Sequence, residues 1–352
     1  MTRSGQGIVC KYPIPTGYLF VGDYSRGQLE TLSIGDYGKE VNVKADFLGY
    51  RRELMGVPNG KCRPLTEKWV VTVSTQYGCI QDCTFCDVPN IPFNGNVTFD
   101  DLKHQFYNAL SLFPDVTYTE RLNLHFARMG EPIFNPNVFE FAKWLYENKS
   151  TIQDEADMRI EVVHPVLTTS LPKRFKQLPD RIMAWTEIKN HVYNGQAGLQ
   201  FSINSTDEKQ RTEMFRDRQL HLEDLSKIAD TLPPPVGRKY CLNFAYSTDF
   251  VIDAERLASL FDTKKFMAKI TPIHNNNACR ANGIRTVGGY DSYIPYKKPE
   301  EDLKDAGFDV LVFVPSMDEE NGLVTCGNAV LGGGTLKTRN DKDVIQIEGV
   351  TT

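Results

Sequence analysis

Three cysteines stand close together in the run CIQDCTFC: Cys79, Cys83 and Cys86, spaced C-x3-C-x2-C. Thiolate sulfur is a good iron ligand, and so short a loop can turn three side chains toward three corners of an iron–sulfur cubane. With only three ligands near in sequence, one iron is left open to something other than protein. A zinc site is the alternative for such a run, but structural zinc pairs two C-x2-C knuckles or adds histidines. No second knuckle follows, and Cys241 and Cys279 are isolated. The ligand arithmetic therefore favours a cluster with Cys79, Cys83 and Cys86 as its metal ligands.

The surrounding sequence indicates what must position this loop. Trp69–Ser74 (WVVTVS) is a short β-branched run that reads as a strand ending just before the cysteines. Thr98, with Asp101 three residues on, reads as the N-cap of a helix carrying Leu102, Phe106, Ala109, Leu110 and Phe113 on one face. A strand at Leu122–Phe126 and a helix carrying Val138, Phe139, Ala142 and Leu145 follow. Further strands are expected at Ile160–Thr168, Leu199–Ile203, Tyr240–Tyr246, Phe266–Pro272 and Val310–Pro315, with helices such as Leu222–Leu232 and Ala254–Leu260 between them. This alternation predicts an α/β fold with a parallel sheet or partial barrel, whose active site lies at the carboxyl ends of the strands. Residues 1–68 read as a β-rich extension, with strands at Tyr18–Val21 and Val41–Phe47. The Gly-rich segment from Asp318 onward reads as a mobile, surface-lying tail. In the first core strand, alternation places Val70, Thr72 and Ser74 on the cavity side, with Val71 and Val73 packed against helices.

Composition sets outer bounds. The 352 residues are 41% hydrophobic and 24% charged, which excludes collagen-like, disordered and disulfide-scaffold classes. With 40 Lys+Arg against 45 Asp+Glu, the net charge is -5, so no broad phosphate-binding surface is evident. Apolar runs are strand-sized, which predicts no membrane span. The start, MTRSGQGIVCKYPIP, has no apolar core of a secretory signal. Eight cysteines in such a chain are expected to be thiols or metal ligands, and the expected location is cytoplasmic.

The stretch VSTQYGCIQDCTFCDVPNIPFNGNVTFDDL resembles the cysteine loop of the radical S-adenosylmethionine (SAM) superfamily, and more narrowly that of the dual-specificity RNA methyltransferases RlmN and Cfr. Other blocks follow in that family's order over about residues 70–330. Met129 to Asn135 (MGEPIFN) is similar to G-M-G-E-P-L-x-N, and Leu167 to Pro172 to the S-T-S-G segment. Ser202 to Arg211 is similar to S-L-H-A-P-N-D-E-x-R, Thr271 to Asn275 sits at the place of I-P-x-N, and Thr325–Cys326–Gly327 is like the late A-C-G. The resemblance implies a partial (β/α)6 radical SAM barrel at 69–315, a small β-rich extension at 1–68, and a tail at 316–352 carrying Cys326. It implies a [4Fe–4S] cluster and SAM as cofactors, with SAM chelated by the fourth iron. Gly130 then allows backbone to approach the methionyl group, and Glu131 accepts hydrogen bonds from the SAM ammonium. Thr168 or Thr169 offers a hydroxyl to the carboxylate or ribose, while Ser202, Ile203 and Asn204 border ribose and adenine. His274 and Asn275 share one role, with the register between them open. Phe85 packs on the adenine or shields the cluster.

In that family a cysteine in the late A-C-G segment carries a methyl group, and Cys326 matches it. A second cysteine, seven residues before the cluster, resolves the covalent adduct; that position here is Thr72, a far poorer nucleophile. Cys62 lies farther upstream. Two outcomes therefore follow from the resemblance: methylation of a nucleobase, most simply adenine, in a nucleic acid, or a non-methylating radical modification of a nucleotide, peptide or small molecule. A non-catalytic iron–sulfur protein is disfavoured by the intact cysteine loop together with Met129–Pro132. No second cluster motif is present, so an external low-potential reductant such as flavodoxin or ferredoxin is expected.

Overall fold

The computed structural model describes residues 7–14, 16–35, 64–286, 294–315, 317–325, 327–336 and 345–346. The expected strand at Val41–Phe47, and Cys62 and Cys326, lie outside the described residues. Three N-terminal strands, β1 (Ile8–Ile14), β2 (Gly17–Tyr24) and β3 (Gly27–Gly35), form an antiparallel meander. Then β4 (Trp69–Val73) begins a run of seven strands that pair with one another in parallel, continuing through β5 (Tyr118–Phe126), β6 (Arg159–Thr169), β7 (Gly198–Ser202), β8 (Tyr240–Tyr246), β9 (Phe266–Pro272) and β10 (Asp309–Val312). With a short β11 (Ile345–Gln346) on β1, the described residues form one eleven-stranded mixed sheet. The N-terminal meander continues the core sheet, because β3 pairs antiparallel with β4 through Leu32↔Thr72 and Ile34↔Val70.

The strand order is monotonic from β4 to β10. Parallel crossovers are almost always right-handed, so an order that never reverses sends every connecting helix to the same side. The helices are α1 (Phe99–Ser111), α2 (Pro136–Glu147), α3 (Lys149–Ala156), α4 (Leu178–Glu187), α5 (Glu208–Met214), α6 (Leu222–Thr231), α7 (Ala254–Leu260), α8 (Asn277–Ala281) and α9 (Ile294–Asp305), with a single turn α10 (Met317–Asn321) near the end. Local chemistry sets their starts: Thr98 Oγ1 accepts from Asp101 N at 3.1 Å, and Asn135, Asp207 and Asp253 cap α2, α5 and α7 in the same way. The sheet's two faces differ accordingly. In β9, Phe266, Ala268 and Ile270 are buried under helices, while Met267, Lys269 and Thr271 stay half-exposed on the other face. The same alternation runs through β7 and β10. In β4, Val71 and Val73 enter the main core, whereas Val70 packs with Leu32, Ile34 and Leu323 on the opposite side.

The segment after Asp318 differs from the expectation of a mobile surface tail. Glu319, Glu320, Leu323, Asn328 and Ala329 are all buried. The cause is an ion pair invisible in the sequence: Glu30 of β3 and Arg128 after β5, with side chains 0% and 1% exposed. Buried charges need every hydrogen-bonding position filled, and the tail backbone fills two of them. Arg128 Nη1 donates to Leu323 O at 2.7 Å, and Leu331 N donates to Glu30 Oε1. The tail thus covers the open face of the sheet beside β4.

Candidate active site

The cysteine loop leaves the carboxyl end of β4 through Gly78, whose φ of +73° and contact with the Ile91 carbonyl exclude a side chain; an added Cβ would lie 2.7 Å from that oxygen. None of the three thiols forms a disulfide among the described residues. Burial pushes the Cys79 thiol up to about 12, and the Glu131 carboxylate adds to the rise. Cys83 is driven well above its ordinary value by burial, then by the charges of Cys79, Cys86 and Glu131. Three sulfurs and a carboxylate therefore act on one another in one low-dielectric space. Such an array is poor at holding its own negative charge and suited to a cationic iron centre, so the residues fit a cluster. Among the described residues, no trio of His, Cys, Asp or Glu is gathered tightly enough for a single metal ion.

Several elements hold the loop. Asp82 sits in the left-handed region at φ 54° and is paired with Arg216 and Arg218, each at 3.5 Å. Arg218 also donates to Ile80 O. Thr84 N donates to Met214 O at 2.9 Å, and Phe85 meets Phe215 edge-on with centroids 5.3 Å apart. Asp87 is fully buried and accepts from Ala278 N at 2.9 Å, while its own N donates to Gly327 O at 2.8 Å.

At the end of β5, Glu131 is buried and fixed. Its Oε2 accepts from both N and Oγ of Ser170 at 2.6 Å, and its Oε1 from Ile133 N at 3.2 Å. Burial raises its carboxyl above the ordinary range against the pull of the Ser170 and Ile133 hydrogen bonds. Gln81 Nε2, from the cysteine loop, donates to Ser170 Oγ at 2.7 Å. Ser170, which follows Thr168 and Thr169, thus links Glu131 to the loop; sequence reading singled out its neighbours and missed it. Gly130 (φ +91°) is required by Gln76, since an added Cβ would lie 2.4 Å from Gln76 Cβ. Gln76 Oε1 in turn accepts from Glu131 N at 3.0 Å.

The remaining candidates divide. Thr168 and Ser202 are half-exposed on the open face. Ile203 is fully buried, and its carbonyl accepts from the buried Arg211 at 2.7 Å. Asn204 (φ 61°) uses its Oδ1 to accept from Ala245 N at 2.9 Å, which ties β7 to β8. His274 is buried and pairs through Nδ1 with Glu320, whereas Asn275 is exposed. The residue that reaches the cysteine loop is the next one, Asn276: its Nδ2 donates to Phe85 O at 2.8 Å and to Gly327 O at 2.9 Å. A one-residue shift separates Asn276 from the pair expected at this place, and its capping of Cys279 N was the available sequence signal. Thr72 is buried on β4 beside His125 of β5. Gly327 and Thr325, the described residues flanking position 326, belong to the segment held against the loop.

The fold is similar to that of a solved radical SAM methyltransferase. A crystal structure of a radical SAM methyltransferase from Sphaerobacter thermophilus superposes with a TM-score of 0.56 at 16% identity, covering 89% of this chain and 76% of that one. Among curated proteins the chain resembles the RlmN and Cfr methyltransferases. It is 25% identical over 240 residues to a probable dual-specificity RNA methyltransferase RlmN of Aquifex aeolicus, covering 66% of this chain and 59% of the relative. It is 24% identical over 173 residues to a ribosomal RNA large subunit methyltransferase Cfr of Lachnoclostridium phytofermentans, covering 49% and 44%. The chain thus spans between two-fifths and three-fifths of these relatives' lengths. No protein-family model matches it. No helix among the described residues is long and apolar enough to cross a membrane.

Proposed function

We propose that this protein is a radical SAM enzyme of RlmN/Cfr type that methylates a nucleobase, with adenine the leading candidate, of a nucleic acid. The observation that supports the reading is the C-x3-C-x2-C loop after β4, tied through Gln81 and Ser170 to the buried Glu131. On this reading strands β4–β9 and their helices are a partial (β/α)6 barrel at 69–315, with the extension at 1–68 and the tail at 316–352. When bound, a [4Fe–4S] cluster and SAM would supply radical chemistry for hydrogen abstraction. The chain's own residues do the rest. Cys79, Cys83 and Cys86 would hold the cluster, leaving it open to SAM. Glu131, immobilised by Ser170, receives the ammonium; Gly130, Thr168, Ser202, Ile203, Asn204 and Phe85 border the remainder of SAM, with His274 and Asn275 behind the tail. Cys326 is the methyl-carrying thiol. Electrons come from an external low-potential donor such as flavodoxin or ferredoxin, and the six described cysteines, which form no disulfide with one another, suit the cytoplasm.

Anaerobic reconstitution tests this. The protein should bind iron and sulfide and convert SAM to 5′-deoxyadenosine and methionine under reduction, and Cys79→Ala, Cys83→Ala and Cys86→Ala should each abolish both. Cleavage by the triple variant would overturn the assignment. A methyl's mass gained on the Cys326 peptide supports the methyl-carrier role. Thr72 favours a second reading, a radical modification without methyl transfer. In that case Cys326→Ala leaves product yield unchanged.

A further inference from the structure

The open face of the sheet carries a polar row that the cysteine loop and the Glu131 cradle do not use. Strand register aligns Ser202, Asn243, Lys269 and Leu311 across β7 to β10. Lys269 is half-exposed between buried Ala268 and Ile270, so the row opens on solvent-accessible space. Among the described residues the Lys269 ammonium has no carboxylate partner; it lies 6.0 Å from the centre of the Phe313 ring. Asp309, an acid nearby on the same face, is already held by Lys239 at 2.6 Å. Beside Lys269, the Asn243 Oδ1 is buried without a hydrogen-bond partner. Deeper, His164 is 1% exposed, its Nε2 is 3.1 Å from Arg238 Nη1, and its Nδ1 has no partner. The charges acting on this region share one sign. Besides burial, the groups that hold His125 neutral are Lys269, Lys68, Arg238 and Arg121, and those acting on Cys241 are Lys269 and Arg238. In a chain of net charge -5, a region of this polarity is a local inversion.

We propose that Lys269, with the Asn243 amide beside it, anchors a phosphate group of the substrate, so that the molecule modified is a phosphate-bearing nucleotide unit rather than a peptide or an uncharged nucleoside. The proposal rests on the radical SAM reading for the place of the reaction. Ser202, at the SAM-binding end of β7, lies two strand spacings from Lys269, roughly 10 Å. That distance suits a nucleotide held by its phosphate with its base turned toward the SAM pocket. A compact ammonium on a flexible stem serves as a point charge for phosphate, and the NH2 group of a neighbouring amide can donate to it.

Calorimetric titration with uridine 5′-monophosphate and with uridine tests this on reconstituted protein saturated with SAM; uracil probes avoid competition for an adenine site. The monophosphate should bind about tenfold or more tighter than the nucleoside. Lys269→Met should reduce the monophosphate to the level of uridine, and Lys269→Arg should restore most of the difference. Lys209→Met, on the exposed side of α5, should have no effect. Iron content and thermal midpoint report whether each variant is folded. Equal affinity for the two probes, no detectable binding of the monophosphate, or unchanged affinity in Lys269→Met overturns the proposal. SAM cleavage by the parent protein is read separately, so failure of the radical chemistry and failure of the phosphate anchor give different results.

Discussion

Replacing Arg128 with methionine should unseat the tail. In the parent, Arg128 donates from Nε to Glu30 Oε2 at 3.0 Å, from Nη2 to the same oxygen, and from Nη1 to Leu323 O at 2.7 Å. Methionine fills much of the volume but supplies none of these donors. The Glu30 side chain, 0% exposed, is left with Leu331 N as its described donor. Stranding one partner of a buried ion pair costs about 3–5 kcal/mol. If the tail can peel off by itself, the cost appears there first, and about 4 kcal/mol multiplies the detached population by roughly 10³. Urea denaturation gives the global cost, and limited proteolysis between residues 319 and 334 gives the local one. The double variant Glu30→Leu, Arg128→Met removes the stranded charge and should recover part of the loss. A single variant within about 1 kcal/mol of the parent, or a double variant no more stable than Arg128→Met, would falsify the account of the tail as held by this pair.

Other outcomes follow from the same geometry. Gly130→Ala places a Cβ 2.4 Å from Gln76 at a φ of +91°, and should cost about 1–3 kcal/mol and lower iron uptake on reconstitution. Asn276→Ala removes the bonds to Phe85 O and Gly327 O; the expected loss is about 2–3 kcal/mol, with faster proteolysis of the tail, and an unchanged digestion pattern would contradict it. Burial, with Lys269 and neighbouring cations behind it, lowers His125 to about 3, and burial with Arg238 and Arg121 lowers His164 as well. The unfolded chain binds more protons below its histidine value, so stability present above about pH 6.5 is lost as pH falls toward 3. His125→Gln, His164→Gln protein should show a shallower loss of urea midpoint between pH 7.5 and 5 than the parent, and an equal slope would count against the histidines.

The cysteine loop and the parallel strands were legible because each is a local pattern. C-x3-C-x2-C is self-contained, and β8, β9 and α7 carry enough periodicity to be bounded to the residue. Thr98 was legible as a cap because its partner Asp101 is three residues away. The tail was misread because its glycines and polar residues look solvated in isolation; what buries them is Glu30, about 300 residues earlier. Ser170 and Asn276 were passed over for a related reason. Both are ordinary turn residues whose role comes from Glu131 and Phe85, groups brought near only by the folded sheet.

That separation also has a temporal meaning. Leu331 and Glu30 are 301 positions apart, so a chain growing from its N-terminus makes the acceptor long before the donor exists. Until then Arg128 and Glu30 can meet each other but not their tail partners, and the open side of β3 and β4 stays wet. Docking of the tail is therefore also the step that brings Gly327 against the cysteine loop. A chain interrupted before residue 331 would carry the whole cysteine run yet lack the clasp, so completion of the site waits on residues far downstream of that run.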